Sequence, residues 1–397
     1  MPMRVPPLAI TAFTATCAAG TGRAALARAL EARASGLRPN DFSAEPLATW
    51  IGRVDGLEEE PLPDTLAVWE CRNNRLAWRG ARQDGFAERV AAARERYGPR
   101  RIALVLGTST ASIGATEEAY RRLEPDGQYP PDLRRPGIHT PHSLAAFLAQ
   151  ALRLEGFCVT IGTACSSSAK VFAHAARLMQ LGLADAAVVG GTDTLCASVL
   201  YGFHSLGLLS PEPCRPFDPA RKGLSLGEAA GFALLEREGA GPWLLGHGES
   251  SDAHHMSSPH PDGRGARLAI ERALASAGLA PRDIDYINLH GTASRLNDEV
   301  EGRVVADLFT PATFASSTKG WMGHALGASG IVEAVITLLA LETGVAPGTL
   351  NSSAVDRACG RQVRLDNERR EMRRASSHSF GFGGSNCVLV FGRESAQ

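Results

Sequence analysis

One cysteine, two histidines, a lysine and a glutamate stand where side chains can do chemistry. Cys165 closes Phe157-Cys158-Val159-Thr160-Ile161-Gly162-Thr163-Ala164-Cys165, an apolar run that stops at a Gly-Thr turn. Ser166-Ser167-Ser168 and a helical pattern (Ala169, Val171, Phe172, Ala175, Ala176, Leu178, Met179) follow. The spacing predicts the thiol at a strand-to-helix turn, where unpaired N–H groups and the positive end of the helix dipole favour thiolate. The same N–H groups can hold an oxyanion. A lone cysteine is more often a small buried hydrophobe; the residues that accompany this one argue otherwise.

His290 ends an apolar strand pattern and opens His290-Gly291-Thr292-Ala293-Ser294. A histidine at the carboxyl end of a buried strand faces a crevice rather than the core. Thr292 and Ser294 add hydroxyls on alternate positions. Lys319 and His324 share the loop Ser316-Ser317-Thr318-Lys319-Gly320-Trp321-Met322-Gly323-His324-Ala325-Leu326-Gly327-Ala328-Ser329-Gly330. The loop precedes an apolar helix whose one charge is Glu333, costly there unless paired, and Lys319 is the natural partner. The loop lacks GxxxxGK[ST] and is not a phosphate cradle. Ser379-Phe380-Gly381-Phe382-Gly383-Gly384-Ser385-Asn386 sets an aromatic among glycines, the composition of a hinged gate.

One chemistry uses all of these together. A thiolate accepts an acyl group, two imidazoles donate to a thioester carbonyl and stabilise an enolate formed by decarboxylation, a lysine and a glutamate orient the second imidazole, and that enolate attacks the acyl-cysteine. A cysteine protease needs one histidine as base, oriented by Asn or Asp, and neither a second histidine nor the lysine.

The elements that must position these groups alternate strand and helix. Arg101–Gly107, Phe157–Gly162 and Ala186–Gly190 read as strands buried on both faces, and Asp283–His290 and Asn386–Phe391 read similarly. Helical patterns cover Ser143–Leu154, Ser167–Leu183, Gly265–Ala277, Asp298–Leu308 and Ala328–Thr343. Such alternation predicts an α/β fold with helix-covered sheets. Glu58–Pro63 and Glu124–Pro136 read as loops. Gly239–Pro242 reads as the seam between two halves, 1–240 and 241–397, each with chemistry on a strand–loop–helix; no clean sequence repeat is visible.

Length and composition fit this reading. The chain has 397 residues, 44% hydrophobic and 21% charged, with net charge -1. That is ordinary for a globular protein and gives no reason to expect nucleic acid or an anionic membrane. Its eight cysteines form no CxxC pair, which predicts a reduced, cytoplasmic enzyme without a metal. Met1–Ala18, broken by Pro2, Pro6 and Pro7, lacks the order of a signal peptide. No window suggests a membrane span of ~20 apolar residues.

With those residues in view, the chain resembles the β-ketoacyl-acyl carrier protein synthases of the elongating type, in the thiolase-like group. The matching segments are TACSSSA at Cys165, PFDPARKGLSLGEAAG at Pro216–Gly231, HGTAS at His290, STKGWMGHALGASG at Lys319 and His324, and SFGFGGSN at Phe382. They run nearly end to end in family order. The resemblance implies a five-layered αβαβα fold of two similar halves. It implies Cys165 as acyl-accepting nucleophile, His290 and His324 as donors to the malonyl thioester carbonyl, and Lys319 and Glu333 as supports of His324 and of the charge balance. It implies an oxyanion hole from the N–H groups of Cys165 and Phe382, a gate at Phe382, and a phosphopantetheine tunnel lined by Thr292 and Ser294. No cofactor is implied, because substrates ride on the phosphopantetheine of an acyl carrier protein.

Implied partners are the acyl carrier protein, acyl and malonyl thioesters, and a second copy or a homologous subunit. The carrier is acidic, so a basic docking patch is expected. Arg72, Arg75, Arg215, Arg221 and Lys222 are the candidates, against an equal prospect of a merely solvated surface. Two positions depart from the usual pattern. Ser294 stands where Thr is commoner, and Trp321 stands where a smaller residue is usual, so that its ring could reshape the acyl or dimer surface. Two other functions compete. A chain-length-factor-like partner subunit typically lacks the cysteine, which is present here. A degradative thiolase uses a second cysteine near the C-terminal glycine loop, where only Cys387 lies. The pathway has two readings, primary fatty-acid elongation and a dedicated cluster making polyenes or other specialised acyl chains; Leu104–Ile113 and Arg72–Arg82 look more like synthases of aryl-polyene-type clusters than housekeeping ones.

Overall fold

Residues 6–395 are described by a computed structural model. Ten strands carry the fold: β1 (Leu8–Cys17), β2 (Ile102–Gly107), β3 (Cys158–Ile161), β4 (Ala186–Asp193), β5 (Ala229–Glu236), β6 (Trp243–Ser251), β7 (Tyr286–Asn288), β8 (Phe314–Ser316), β9 (Arg374–Gly381) and β10 (Ser385–Gly392). Their hydrogen-bonded order is β8-β7-β9-β10-β6-β1-β5-β4-β2-β3. At its middle β6 and β1 meet only at Leu8↔Leu244 and Ala9↔Trp243, so the path divides into two five-stranded sheets. In the first, β3–β2 and β2–β4 are parallel while β4–β5 and β5–β1 are antiparallel. In the second, β8–β7 and β7–β9 are parallel while β9–β10 and β10–β6 are antiparallel. Each half has the same topology, a repeat of fold with no visible repeat of sequence.

Seven helices complete the layers: α1 (Arg72–Ala81), α2 (Phe86–Tyr97), α3 (Ser143–Leu152), α4 (Ser167–Gln180), α5 (Arg264–Ala277), α6 (Arg295–Leu308) and α7 (Ser329–Thr343). The helices α4 and α7 pack on each other and on strands of both sheets. The helices α1, α2 and α3 cover the outside of the first sheet, and α5 and α6 the outside of the second. The architecture is five-layered αβαβα, and its central layer holds the largest apolar cluster.

That position explains α7. Ser329 to Leu341 are buried on every face, because two sheets and α4 surround the helix and no side is left for a polar stripe. By length and composition Leu326–Thr343 could also cross a membrane, with mean hydropathy 1.6. This corrects the expectation that no window comes near a span. Of that window, 89% is buried inside the protein, as in a core helix.

Most element ends fall within a few residues of expectation. The pattern over Ser143–Leu154 stops at Leu152 because Arg153 turns left-handed (φ 55°). The expected strand Asp283–His290 shortens to Tyr286–Asn288, because Pro281–Asp283 forms a 3-10 turn. Of Met1–Ala18, read as lacking the order of a signal peptide, residues 1–5 lie outside the described residues and Leu8–Cys17 forms the core strand β1.

Two expectations need correction. The segment at Phe157 was expected to be covered on both faces. Instead β3 is an edge strand whose residues are all half-buried, and Phe157 before it is 47% exposed. Periodicity reports an apolar strand and cannot report whether the cover comes from the same chain. Trp321 borders neither large cavity; it is fully buried in the central core and donates Nε1–H to the Ala29 carbonyl at 3.3 Å.

Candidate active site

The chemistry-bearing residues sit where strands end. Cys165 lies between β3 and α4, His290 just after β7, Lys319 and His324 between β8 and α7, and Phe382 between β9 and β10. The duplicated topology places the β3–α4 and β8–α7 loops in equivalent positions of the two halves. The two helices touch at their first turns. Ile331 donates its N–H to Ser168 Oγ at 2.9 Å. A Cβ on Gly330 would stand 2.6 Å from the Ala169 nitrogen, so only glycine lets the helices approach this closely.

The turns are held in costly conformations. Ala164, Ala293 and Leu326 have φ of 50°, 66° and 54°. Left-handed backbone costs a non-glycine residue on the order of 1 kcal/mol. Three such residues beside Cys165, His290 and His324 are a site signature that sequence does not display.

The reactive atoms converge. Cys165 Sγ is 3.0 Å from His324 Nε2. The His290 and His324 rings meet edge-on, centroids 5.4 Å apart. One atom each from Cys165, His290 and His324 lie within 4.8 Å of one another. Three such donors could close on a divalent metal. However, the Lys319 ammonium stands 3.5 Å from His290 Nδ1. Its charge opposes a second cation and favours a developing anion.

Lys319 is fully buried. It donates to the Glu333 carboxylate and to the His290 carbonyl. Glu301, also buried, accepts the N–H groups of His290 and Gly291, each at 2.8 Å, and so holds the His290 turn. Glu301 escaped the sequence reading. Its only signal was a carboxylate on the same helical face as Val300, Val304 and Val305. His324 Nδ1 meets Ser329 Oγ at 2.8 Å, and Phe382 stacks on Phe203 with centroids 5.6 Å apart. Ser329 and Phe203 were likewise missed.

Burial dominates the protonation states. It pushes the Cys165 thiol up to about 11, against the Lys319 charge and the N–H groups of Phe382 and Cys165. Burial thus opposes the lowering expected of a thiol at a helix N-terminus, because desolvation disfavours the charged form. Both histidines are driven well below the ordinary value by burial and then by Lys319, so they are neutral at pH 7. Glu333 is pushed up to about 7 by burial, opposed by Lys319. We therefore expect alkylation of Cys165 by iodoacetamide to rise about tenfold per pH unit from 7 to 10. A plateau centred below pH 8 would show that the cation and the helix end outweigh burial.

Cys165, His290 and His324 open on a cavity of about 450 Å³ lined also by Thr292, Ser294, Phe203 and Phe382, with Lys319 and Glu333 behind its wall. Thr292 and Ser294 share a hydroxyl contact of 2.9 Å. A larger cavity, about 730 Å³, is lined by Arg72 and Arg75 and by none of the catalytic candidates. The smaller cavity is the one that matters to the chemistry, because the reactive atoms are there.

The structure reassigns most of the docking candidates. Arg72 pairs with the buried Glu228 and with Glu58, Arg75 pairs with Glu70, and Arg221 is 2% exposed among Asp298, Glu299 and Asp356. Their guanidiniums hold the fold together, and sequence alone cannot distinguish an inward arginine from a solvated one. Arg215 is a third exposed, with Glu212 at 3.6 Å. Lys222 keeps its place at the cavity mouth, 58% exposed, joined by Arg295 at 86%.

The chain matches the family described as "Beta-ketoacyl synthase, N-terminal domain" over residues 75–240 and "Beta-ketoacyl synthase, C-terminal domain" over residues 243–353. A mitochondrial 3-oxoacyl-[acyl-carrier-protein] synthase of Arabidopsis thaliana is 42% identical over 252 residues, which is 58% of this chain. The match spans about half that relative's length, 55%. Nodulation protein E of Rhizobium meliloti (strain 1021) is 34% identical over 304 residues, 73% of this chain and 75% of that protein. A chain in the solved structure of the ketosynthase ApeO in complex with its chain length factor ApeC, from Xenorhabdus doucetiae, superposes with a TM-score of 0.89 at 36% identity, covering 98% of both chains.

Proposed function

The chain belongs to the β-ketoacyl synthase family, and on that premise we propose that it is a 3-oxoacyl-[acyl-carrier-protein] synthase acting by decarboxylating Claisen condensation. The observation that carries the proposal is the convergence of Cys165, His290 and His324 within 4.8 Å at one cavity.

The geometry supports this sequence of steps. Cys165 Sγ attacks the carbonyl of an acyl-carrier thioester while its proton passes to His324 Nε2. The new S–C bond forms as the pantetheine C–S bond breaks, and that proton goes to the departing sulfur. The N–H groups of Cys165 and Phe382 face the thiol and are placed to hold the tetrahedral oxyanion. A malonyl thioester then enters past Thr292 and Ser294. Its C–CO₂ bond breaks, and the electron pair moves onto the thioester oxygen beside the two neutral imidazoles. The enolate carbon attacks the acyl-Cys165 carbonyl. Cys165 leaves as thiolate and takes up one proton from solvent, and the 3-oxoacyl thioester departs. None of these steps needs a resident cofactor.

Two alternatives fit less well. A partner subunit without catalysis would not need the buried Lys319–Glu333 pair or the Cys165–His324 contact. A thiolase would need Cys387 at the site. Cys387 is instead fully buried in β10 opposite Glu249 and lies outside the cavity.

The open apolar edge at β3 is the natural seat of a second, homologous chain, because a bare parallel edge invites pairing. Similarity to a chain solved with a chain length factor supports pairing of that kind and a specialised acyl product. Free cysteines throughout support a reducing, cytoplasmic setting. For the carrier, Lys222 and Arg295 flank Leu206 and Leu296, each 55% exposed, at the cavity mouth. This is a rim for an acidic, partly apolar surface.

The test is intact mass after incubation with acyl-carrier proteins, followed by malonyl-carrier protein. We expect an acyl adduct on Cys165 that malonyl carrier discharges with release of a 3-oxoacyl product. Lys222→Glu with Arg295→Glu should slow acylation at low salt far more than at high salt. No adduct from any chain length, even with a homologous subunit added, would refute the proposal. An undiminished rate in the charge-reversed variant would move the docking site elsewhere.

A further inference from the structure

The helix α7 presents two polar groups one turn apart on a single face, Ser329 and Glu333. Glu333 holds Lys319, which in turn holds the His290 carbonyl. Ser329 Oγ lies 2.8 Å from His324 Nδ1, and among the described residues it is the hydrogen-bond partner of that nitrogen. Both side chains are fully inaccessible to water. One helical face thus orients both imidazoles, and the arm through Ser329 plays no part in the mechanism above.

We infer that Ser329 is a positioning residue that lets His324 use either neutral tautomer, so that one ring serves both halves of the reaction. A neutral imidazole has one donor and one acceptor nitrogen. In acyl transfer, Nε2 must accept from the Cys165 thiol, 3.0 Å away. Nδ1 then carries the proton and donates to the Ser329 oxygen. In decarboxylation, Nε2 must donate to the thioester oxygen. Nδ1 is then bare and accepts from the Ser329 O–H. A backbone N–H at this place would lock Nε2 as donor, and a carbonyl would lock it as acceptor. A hydroxyl rotates between the two roles. The first turn of α7 is itself pinned to the nucleophile helix through Ser168 and Gly330, so the hydroxyl is held in register with the thiol.

The inference rests on the proposed condensing activity for its catalytic readout, and a second readout separates the two. Ser329→Ala leaves Nδ1 buried without a partner. We expect kcat for malonyl-carrier decarboxylation to fall roughly tenfold to a hundredfold, with KM little changed. Ser329→Thr, which keeps the hydroxyl, should restore most of it. Alkylation of Cys165 by iodoacetamide reads the same contact without any carrier protein. In Ser329→Ala it should slow several-fold and change its pH profile, and Ser329→Thr should restore it. Thermal melting of each variant checks that it is folded. Wild-type alkylation and decarboxylation in a folded Ser329→Ala would overturn the inference. Altered alkylation with no decarboxylation even in wild type would keep Ser329 as the group that positions His324 against Cys165, but would overturn its second tautomeric role and sink the proposed function.

Discussion

Cys165→Ala should remove acyl-enzyme and 3-oxoacyl product together while leaving decarboxylation of malonyl-carrier protein near the wild-type rate. Condensation passes through a bond to Sγ, so losing that atom should lower it by several orders of magnitude, on the order seen when other enzymes lose a covalent nucleophile. Decarboxylation uses a different set. The two neutral imidazoles remain, Lys319 still sets the local field, and His324 Nε2 loses its thiol partner and is freed to face the thioester. The fold should tolerate the change, because the α4–α7 contact and the Ser166–Ser167 turn bonds do not involve sulfur. The measurement is paired: intact mass for the adduct, released CO₂ for the second activity. Loss of both in a folded variant would mean that the thiol is needed for decarboxylation as well, and that the division of labour is wrong. An adduct persisting on another residue would remove Cys165 from its role altogether.

The second large effect lies at Lys319 and Glu333. Both are fully buried, in contact, and tied to the His290 carbonyl. Removing one partner of such a pair leaves an uncompensated buried charge and costs about 3–5 kcal/mol. Lys319→Ala should therefore destabilise strongly, and Glu333, already pushed up to about 7 beside its partner, should become protonated at neutral pH. Replacing both, Lys319→Met with Glu333→Leu, should cost clearly less than the sum of the single changes, because the double variant buries no lone charge. Catalysis should not recover with stability. Lys319 is the largest influence holding the Cys165 thiol down, so the double variant should alkylate more slowly and decarboxylate poorly. Denaturant melts of the singles and the double decide the first point; strict additivity would show that the two residues do not act as a pair. A fully active double variant would make the pair purely structural.

Much of the site was legible in short stretches. Cys165 at a Gly-Thr turn before three serines, His290 at the end of an apolar run, and Phe382 among glycines each announce a turn made by neighbours in sequence. The pairing of Lys319 with Glu333 was also readable, because an apolar helix with one carboxylate asks for a cation nearby. Glu301 and Ser329 were not readable. A glutamate in an ordinary helix and a serine in a small-residue turn look alike whether they face water or an imidazole. The docking arginines failed for the same reason. Arg72 and Arg221 are letters of charge, and their burial against Glu228 and Asp298 depends on segments far along the chain.

The sequence by itself determined the layered α/β class, the turns that carry the reactive residues, and the order in which they come. These depend on propensities and patterns within a dozen residues. Only the tertiary structure decided that the thiol and its imidazole, 159 residues apart, stand 3.0 Å from each other. The same holds for the chain's two topologically equal halves, for the open edge at β3, and for the burial that pushes the Cys165 thiol up. Each of these depends on burial and long-range contact, which arise when the sheets close around α4 and α7 and desolvate what lies between their ends.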